Sequence, residues 1–153
     1  MRTPGVLGTA LLVGIAPPAA ASAPPSEDGL AYHGSVAMTA GRVDVHLTPR
    51  NHGPHPVTAA TLRLRWSAPL TDRQELPPSC ARSGTRALIC ETGPLPADAP
   101  GDALALHVRL QGTPSEVVLQ LDTIWRSDTP ADRHHPDDPQ RVLALDTGDA
   151  YFF

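Results

Sequence analysis

Lysine is absent from this chain of 153 residues, and asparagine occurs only once, at Asn51. Arginine supplies all twelve basic residues against 16 acidic residues, so the formal net charge is −4 with histidine neutral. Nucleic-acid-binding domains carry clustered basic residues and a basic overall charge. The acidic balance argues against this class of protein, and we expect no nucleic-acid partner.

The common sequence signatures of catalysis are also missing. No serine lies in a Gly-x-Ser-x-Gly frame, which holds the nucleophile of many hydrolases on a tight turn. The sequence contains no phosphate-binding loop, dinucleotide fingerprint, His-x-x-x-His pair or EF-hand spacing. It therefore predicts a non-enzymatic protein that uses no cofactor.

Long hydrophobic runs are scarce, and the clearest one lies at the start of the chain. The mostly apolar stretch 5–16 follows the basic residue Arg2 and precedes Ala21-Ser22-Ala23. A basic start, a short apolar middle and an Ala-x-Ala exit are typical of a secretory signal peptide. We expect a signal peptide at 1–23 with cleavage after Ala23, a flexible N-terminus at 24–29 and a β-sandwich domain at 30–153.

Removal of this leader defines the expected mature chain. It takes Arg2 away and leaves 11 basic against 16 acidic residues, a formal net charge of −5. No later apolar stretch approaches the ~20 residues that cross a bilayer. We therefore expect no membrane span in the mature chain and an extracellular location, either secreted or associated with the cell surface.

Cysteine occurs only at Cys80 and Cys90. An even count in an exported chain predicts a disulfide. The bridge would close a loop of about 11 residues and stabilise the fold by roughly 3 kcal/mol in the chain-entropy model. Nine residues separate the two cysteines, unlike the Cys-x-x-Cys spacing of redox-active sites, so we expect a structural bridge.

Apolar and polar residues alternate with a period of two along the rest of the chain. Strict alternation marks strands with one buried and one solvated face, and no apolar series keeps a helical spacing for long. Turns rich in Gly and Pro separate the strands, which predicts an all-β, immunoglobulin-like antiparallel β-sandwich of about seven strands. The candidate strands are 30–38, 43–47, 62–66, 86–90, 104–110, 117–121 and 141–145.

The same alternation predicts where individual side chains point. Trp66 and Trp125 continue apolar series, so we expect both in the core. His107 alternates outward, and we expect it on the surface. Three arginines also alternate outward, and we expect them to be solvated or paired with Asp and Glu across strands rather than to form an anionic-ligand patch: Arg63, Arg65 and Arg109. The Gly-Thr-Pro-Ser turn at 112–115 predicts a hairpin.

A turn signal, Asn51-His52-Gly53-Pro54, ends the second candidate strand, because Asn bonds the backbone two residues on and Gly accepts a positive φ. The two cysteines, a Gly-Pro-Leu-Pro stretch and an acidic proline loop follow in order. This order resembles the bacterial surface-repeat family catalogued as domain of unknown function eleven. The matching residues are Asn51, Gly53, Pro54, Cys80 and Cys90.

This resemblance covers residues 30–145 and implies an immunoglobulin-like fold outside the cell, with no catalytic residues to carry over. The high content of Ala, Pro and Arg is typical of an actinomycete-type genome, so the chain resembles a single-copy secreted member. Gln140-Arg141 stands where that family carries paired asparagines, and the aromatic ending is not part of its pattern.

Histidine and aspartate cluster in the segment 132–138, the best candidate for metal chemistry. Imidazole and carboxylate bind zinc or copper, and carboxylates bind calcium. The prolines of this loop constrain it, so a solvated polar loop is favoured and we expect no bound metal. The weak candidates for metal ligands are His134, His135 and Asp137.

Three consecutive aromatic residues, Tyr151, Phe152 and Phe153, end the chain and make up half of its six aromatics. In the favoured interpretation the tail folds back, and Tyr151 or Phe153 closes one end of the sandwich. In the alternative, the tail is an interaction element that extends a sheet edge of a partner or of a second copy.

These features together predict a non-enzymatic secreted or cell-surface module, with an interaction or structural role and an unknown protein or cell-envelope partner. The alternative is a secreted inhibitor or small-ligand carrier on the same scaffold, and a metal-dependent enzyme is a third class. A sizeable internal apolar cavity would favour the carrier, whereas a filled core would favour the plain module.

Overall fold

A computed structural model describes residues 29–128 and 139–153, and within these ranges the chain is all-β. The predicted signal peptide at 1–23 lies outside them. The described ranges contain no helix with the length and apolarity needed to cross a membrane. The strands are β1 Leu30–Thr39, β2 Arg42–Asn51, β3 Ala60–Trp66, β4 Cys80–Arg82, β5 Ala87–Glu91, β6 Ala99–Pro100, β7 Leu104–Arg109, β8 Glu116–Arg126, β9 Gln140–Leu145 and β10 Ala150–Phe152.

The strands form two antiparallel sheets. In the first sheet β10, β1 and β2 are neighbours, and both β6 and β7 pair with the far side of β2. The second sheet has the order β4-β5-β3-β8-β9. The prediction of an all-β antiparallel sandwich is confirmed. Each of the seven candidate segments is a strand, and the sequence missed the short strands β4, β6 and β10.

The apolar faces of the two sheets meet in one core. In β3, Leu62, Leu64 and Trp66 are buried, whereas Arg65 between the last two is exposed. Strands β2 and β7 alternate in the same way on the other side of the core. Burying one Val or Leu side chain contributes about 1.5–3 kcal/mol. The apolar side chains that the period of two directs into the core are therefore the main source of stability for this fold.

The turn at 112–115 does not close a hairpin, and the prediction there was wrong. β7 pairs with β2 in the first sheet, whereas β8 pairs with β3 and β9 in the second sheet. The turn carries the chain from one sheet to the other, so the apolar faces of β7 and β8 oppose each other across the core. Gly112 takes a φ of 73°, which glycine adopts without strain.

Trp125 does not lie in the core, which corrects the second tryptophan prediction. The pairing of β8 with β3 steps from Leu62↔Thr123 to Thr61↔Trp125 and skips Ile124. This β-bulge adds one residue to β8, and a shift of one residue turns every later side chain to the other face. Trp125 is consequently 46% exposed on the outer face of the second sheet, whereas Trp66 is buried as predicted.

An ion pair on the outer face of the second sheet confirms the predicted cross-strand pairing of Arg63. Its guanidinium donates to both carboxylate oxygens of Asp122, at 3.2 and 2.6 Å, and the two residues are directly opposite on β3 and β8. The Asp122 side chain is only 5% exposed. Arg63 therefore neutralises a buried carboxylate, and its side chain is not simply solvated.

Candidate interaction surface

The turn 51–54 is built around one buried side chain. Asn51 is fully buried at the end of β2, and its Oδ1 accepts the backbone N–H of Gly53 at 2.9 Å. Its Nδ2 donates to the carbonyl of His55 at 2.8 Å and reaches the carbonyl of Leu95 at 3.4 Å. The Asn51 contact with Gly53 is the one that the sequence predicts, but Gly53 does not take a positive φ, which corrects that part of the prediction. Pro54 is exposed on the surface of the turn, which ties two loops together at one end of the sandwich.

The predicted disulfide is present. Cys80 on β4 and Cys90 on β5 are directly paired across a hairpin, with their Cα atoms 4.1 Å apart. Cys90 is fully buried in the core. The bridge fastens the short edge strand β4 to the sheet, and no free cysteine is found in the described part of the chain.

The aromatic tail folds back onto its own sheet as β10. It pairs with β1 through Ser35–Ala37, and Phe153 exchanges two backbone hydrogen bonds with Gly34 at 3.0 and 3.1 Å. Tyr151 and Phe153 pack partly buried against the core, in agreement with the favoured interpretation. Phe152 points the other way and is 81% exposed on the outer face of the first sheet.

The weak metal candidates His134, His135 and Asp137 lie outside the described residues. Elsewhere, no group of three or more His, Cys, Asp or Glu side chains is arranged to hold a metal ion within 29–128 and 139–153. His52, in the turn, makes an edge-to-face contact with His33, whose ring centroid is 6.5 Å away.

The outer face of the first sheet carries small and polar side chains. Phe152, Ser35, His46 and Ala105 form one row across β10, β1, β2 and β7. In the next row His107 contacts Asp44 through Nδ1 and Oδ1 at 2.6 Å, and both side chains are exposed. His107 therefore lies on the surface, as the alternation predicts, and its contact with Asp44 across the strands is an additional finding of the structure.

A charged cleft lies where this face meets the loop 71–75. Its volume is about 1040 Å³, and residues of both charge signs line it. The sheet contributes Arg42, Asp44, His107 and Arg109, and the loop contributes Asp72, Arg73, Gln74 and Glu75. Three arginines and three carboxylates therefore face one open concavity, which we call the charged cleft.

One side chain fixes the wall of the charged cleft. Gln74 inserts its amide against the end of β7, where its Oε1 accepts the N–H of Arg109 at 2.9 Å and its Nε2 donates to the carbonyl of Arg109 at 2.8 Å. Thr71 donates its backbone N–H to the same carbonyl at 2.9 Å. The guanidinium of Arg82 donates hydrogen bonds to the carbonyls of Leu70 and Thr71 and so also holds the loop in place.

Sequence reasoning missed this loop. The stretch 68–79 is rich in Pro and polar residues and predicts only a long connection. Leu70 is buried completely beneath it and Leu76 packs partly buried against the core, so these two leucines were the local signal that the connection is tied to the core. The contact between Gln74 and Arg109 joins residues 35 positions apart, so no local pattern could indicate it.

A smaller pocket opens between the two sheets near the start of β7. It has a volume of about 250 Å³, and Leu47, Leu62, Cys90 and Leu104 form its apolar part. Glu91 and Asp102 also line it, and both are exposed at its mouth. We call this the inter-sheet pocket.

Comparisons with known proteins return no relative of this chain: no family model, curated protein or solved structure matches it. The geometry and chemistry of the charged cleft and of the neighbouring β7 edge are therefore the observations on which a function rests.

Proposed function

We propose that this chain is a non-enzymatic, secreted or cell-surface interaction module that binds a protein or cell-envelope partner through the charged cleft. The observation that carries the proposal is the cleft itself. Arg42, Arg73 and Arg109 line it together with Asp44, Asp72 and Glu75, and a backbone hydrogen bond from Thr71 to Arg109 helps to hold its loop wall to β7. Interleaved charges of both signs give specificity and orient a charged macromolecular partner, and arginine is enriched in protein interfaces.

The chemistry available in the charged cleft favours binding over catalysis. The Asp44–His107 pair is exposed, and the Thr71 hydroxyl donates to the carbonyl of Arg73 at 3.0 Å rather than to the imidazole. General-base activation of a nucleophile needs a hydrogen bond between the two groups. A solvated pair of this kind is well suited to contact a partner's charged side chain.

We also propose that the sandwich is immunoglobulin-like and related to the suggested family. The support is the sharing of strands: β1, β2 and β7 lie in one sheet and β3, β8 and β9 in the other, as strands A, B, E and C, F, G do in immunoglobulin-type sandwiches. β5 beside β3 corresponds to the extra strand of the variable type. The Asn51 turn and the cysteine bridge support the proposed likeness to the bacterial surface-repeat family.

Export is part of the proposal. The signal-peptide pattern at 1–23 and the Cys80–Cys90 bridge both support an extracellular location, because such bridges persist in oxidising compartments. N-terminal sequencing of the exported protein tests this directly. We expect a first residue at Pro24, and a start more than a few residues away would contradict the boundary.

The carrier alternative has weaker support. The inter-sheet pocket has a volume of about 250 Å³, and buried core residues such as Leu62 and Cys90 form part of its lining. Sites for small molecules have volumes of roughly 300–1,000 Å³, so this pocket is small for a carried ligand. Large side chains such as Trp66, Met38 and Leu119 fill the space between the sheets.

Sedimentation with the cell envelope tests the interaction function. The purified protein of residues 24–153, with its disulfide intact, is mixed with the envelope fraction of the producing cells. The fraction of the protein that sediments with the envelope is then measured. A double variant that carries Arg42→Glu and Arg73→Glu reverses two charges of the cleft. It should bind the envelope at least about tenfold more weakly. Arg141→Glu, an exposed reversal on β9 of the other sheet, is the matched control.

Two results would contradict the proposal: no binding of the unmodified protein at any concentration, or equal loss of binding in the cleft variant and in the Arg141 control. Thermal melts of all three proteins exclude misfolding as the cause, because every substituted arginine is exposed in the folded chain.

A further inference from the structure

The side of β7 that faces away from β2 indicates the kind of partner that this protein binds. The N–H and C=O of Arg109 bond Gln74 and Thr71 on the side away from β2. Backbone groups alternate in direction along an antiparallel strand. The N–H and C=O of Ala105 and His107 therefore point to the same free side, and the residues in 29–128 and 139–153 supply no backbone partner for them.

The chain itself already adds an extended segment to this edge. Leu70 pairs with Leu110, Thr71 donates to Arg109, and the carbonyl of Pro69 accepts the N–H of Gln111 at 2.8 Å. The Leu70 side chain is fully buried, so a segment on this edge sends alternate side chains between the sheets. Gln74 then ends the pairing and leaves Ala105 and His107 open.

The inter-sheet pocket lies at the far end of this edge, where an inward side chain placed opposite Leu104 would point. Leu104 begins β7 and lines the pocket, together with Leu47, Leu62 and Cys90. An added strand that continued past His107 toward Leu104 would place an apolar side chain over this opening, as Leu70 does farther along the edge. The volume of about 250 Å³ suits one aliphatic side chain.

The mouth of the inter-sheet pocket is acidic. Glu91 and Asp102 are both exposed there, and neither carboxylate forms an ion pair within the described part of the chain. A partner segment with a basic residue beside its apolar side chain would complement these charges. The charge at the mouth thus selects the chemistry of the occupant.

We propose that the β7 edge binds an extended peptide segment of another protein by strand addition, with one apolar side chain in the inter-sheet pocket and a basic residue at its acidic mouth. The proposal rests on the interaction function above and names its partner class. Strand addition provides affinity through main-chain hydrogen bonds, and pockets for alternate side chains provide specificity.

Selection from a displayed library of linear peptides against the purified mature protein provides the probe. The selected peptides should alternate in polarity and carry an apolar residue next to Lys or Arg. Amide hydrogen exchange with the tightest peptide should show new protection at Ala105 and His107. Selection of no peptide, or binding without protection of these two amides, overturns the proposal.

A proline substitution tests the backbone contact with a matched control. Ala105→Pro removes an N–H that points away from β2, so the pairing within the sheet is kept. Leu143→Pro on β9 is the control. Val118 bonds toward β3, which leaves its partner Leu143 with backbone groups that face away from β8. Ala105→Pro should raise the peptide Kd at least about tenfold, and Leu143→Pro should leave it unchanged.

Asp102→Lys covers the case in which the proline variant fails to fold. Asp102 is exposed, so this reversal leaves the core intact, and it should weaken the basic peptide about tenfold. Unchanged affinity in Asp102→Lys, or equal loss in both proline variants, overturns strand addition. Dimerisation of the protein that Ala105→Pro abolishes would place a second copy at the edge and would also overturn it.

The two proposals fail in different ways. If envelope binding is lost on charge reversal in the cleft but survives Ala105→Pro, the interaction function stands and strand addition is wrong. If the peptide binds and protects Ala105 while the envelope does not bind at all, the interaction function of the cleft is wrong and the peptide site stands on its own.

Discussion

At the scale of single residues, the burial of Asp122 changes what the alternating pattern implies for its partner. The pattern alone assigns Arg63 to an outer face, where truncation costs under about 1 kcal/mol. The contact with Asp122 makes Arg63 the counter-charge of a carboxylate that is 5% exposed. Removing one partner of such a pair leaves a charge without its hydrogen bonds.

We therefore expect Arg63→Ala to lower the free energy of unfolding by about 1–3 kcal/mol. Arg65→Ala, two residues along the same strand and exposed, should change it by less than about 0.5 kcal/mol. Denaturant midpoints of the two variants measure the difference. Equal and small effects would mean that Asp122 is solvated rather than buried against Arg63.

The two tryptophans should differ in their contribution to stability, because one ring is buried and the other is exposed. Trp66→Ala should destabilise the fold by about 3–5 kcal/mol, because it opens a large cavity in the core. Trp125→Ala should cost less than about 1 kcal/mol, because the bulge at Ile124 turns that ring outward. Acrylamide quenching of the single-tryptophan proteins, each with the other Trp replaced by Phe, gives an independent readout. Strong protection of Trp125 would contradict the bulge.

At the scale of elements, Gln74 holds the loop 71–75 to the end of β7 with two hydrogen bonds to one residue, Arg109. Gln74→Ala should speed amide exchange of Thr71 and Arg109 and lower the free energy of unfolding by about 1–2 kcal/mol. Glu75→Ala, its exposed neighbour, is the control. Unchanged exchange at both amides would show that the loop is held without the Gln74 amide.

The tail strand β10 is a second element with a clear test. Deleting Ala150–Phe153 removes the pairing with β1 and the partly buried rings of Tyr151 and Phe153, so the melting temperature should fall by about 5–10 °C. Phe152→Ala, which removes only the exposed ring, should leave it within about 2 °C. A stable deletion variant with altered self-association would instead make the tail an interaction element.

The strands and turns also show how much of the fold can be predicted from sequence patterns. A period of two is enough to find β3, β7 and β8, because each buries one face. Strands β6 and β10, with two and three residues, are too short to show a period. The turn at 112–115 has the composition of a hairpin, but turn chemistry does not say which sheet the next strand joins.

At the scale of the whole molecule, the functional surface depends on contacts between distant parts of the chain. The charged cleft joins Arg42, the loop 71–75 and Arg109, and the β7 edge is defined by what Gln74 leaves uncovered. None of these relations has a local sequence signal. Composition, the signal-peptide pattern and the cysteine pair predict the class of molecule, whereas the position of its binding surface follows only from the pairing of the sheets.

The most direct test of the central claim is photo-crosslinking of the mature protein to the envelope of the producing cells. A crosslinking amino acid replaces Glu75 on the wall of the charged cleft in one protein and Arg141 on the opposite sheet in another. An interaction module that binds through the charged cleft gives a discrete adduct from position 75 and none from position 141. An adduct from position 141 alone, or from neither position, would contradict this account.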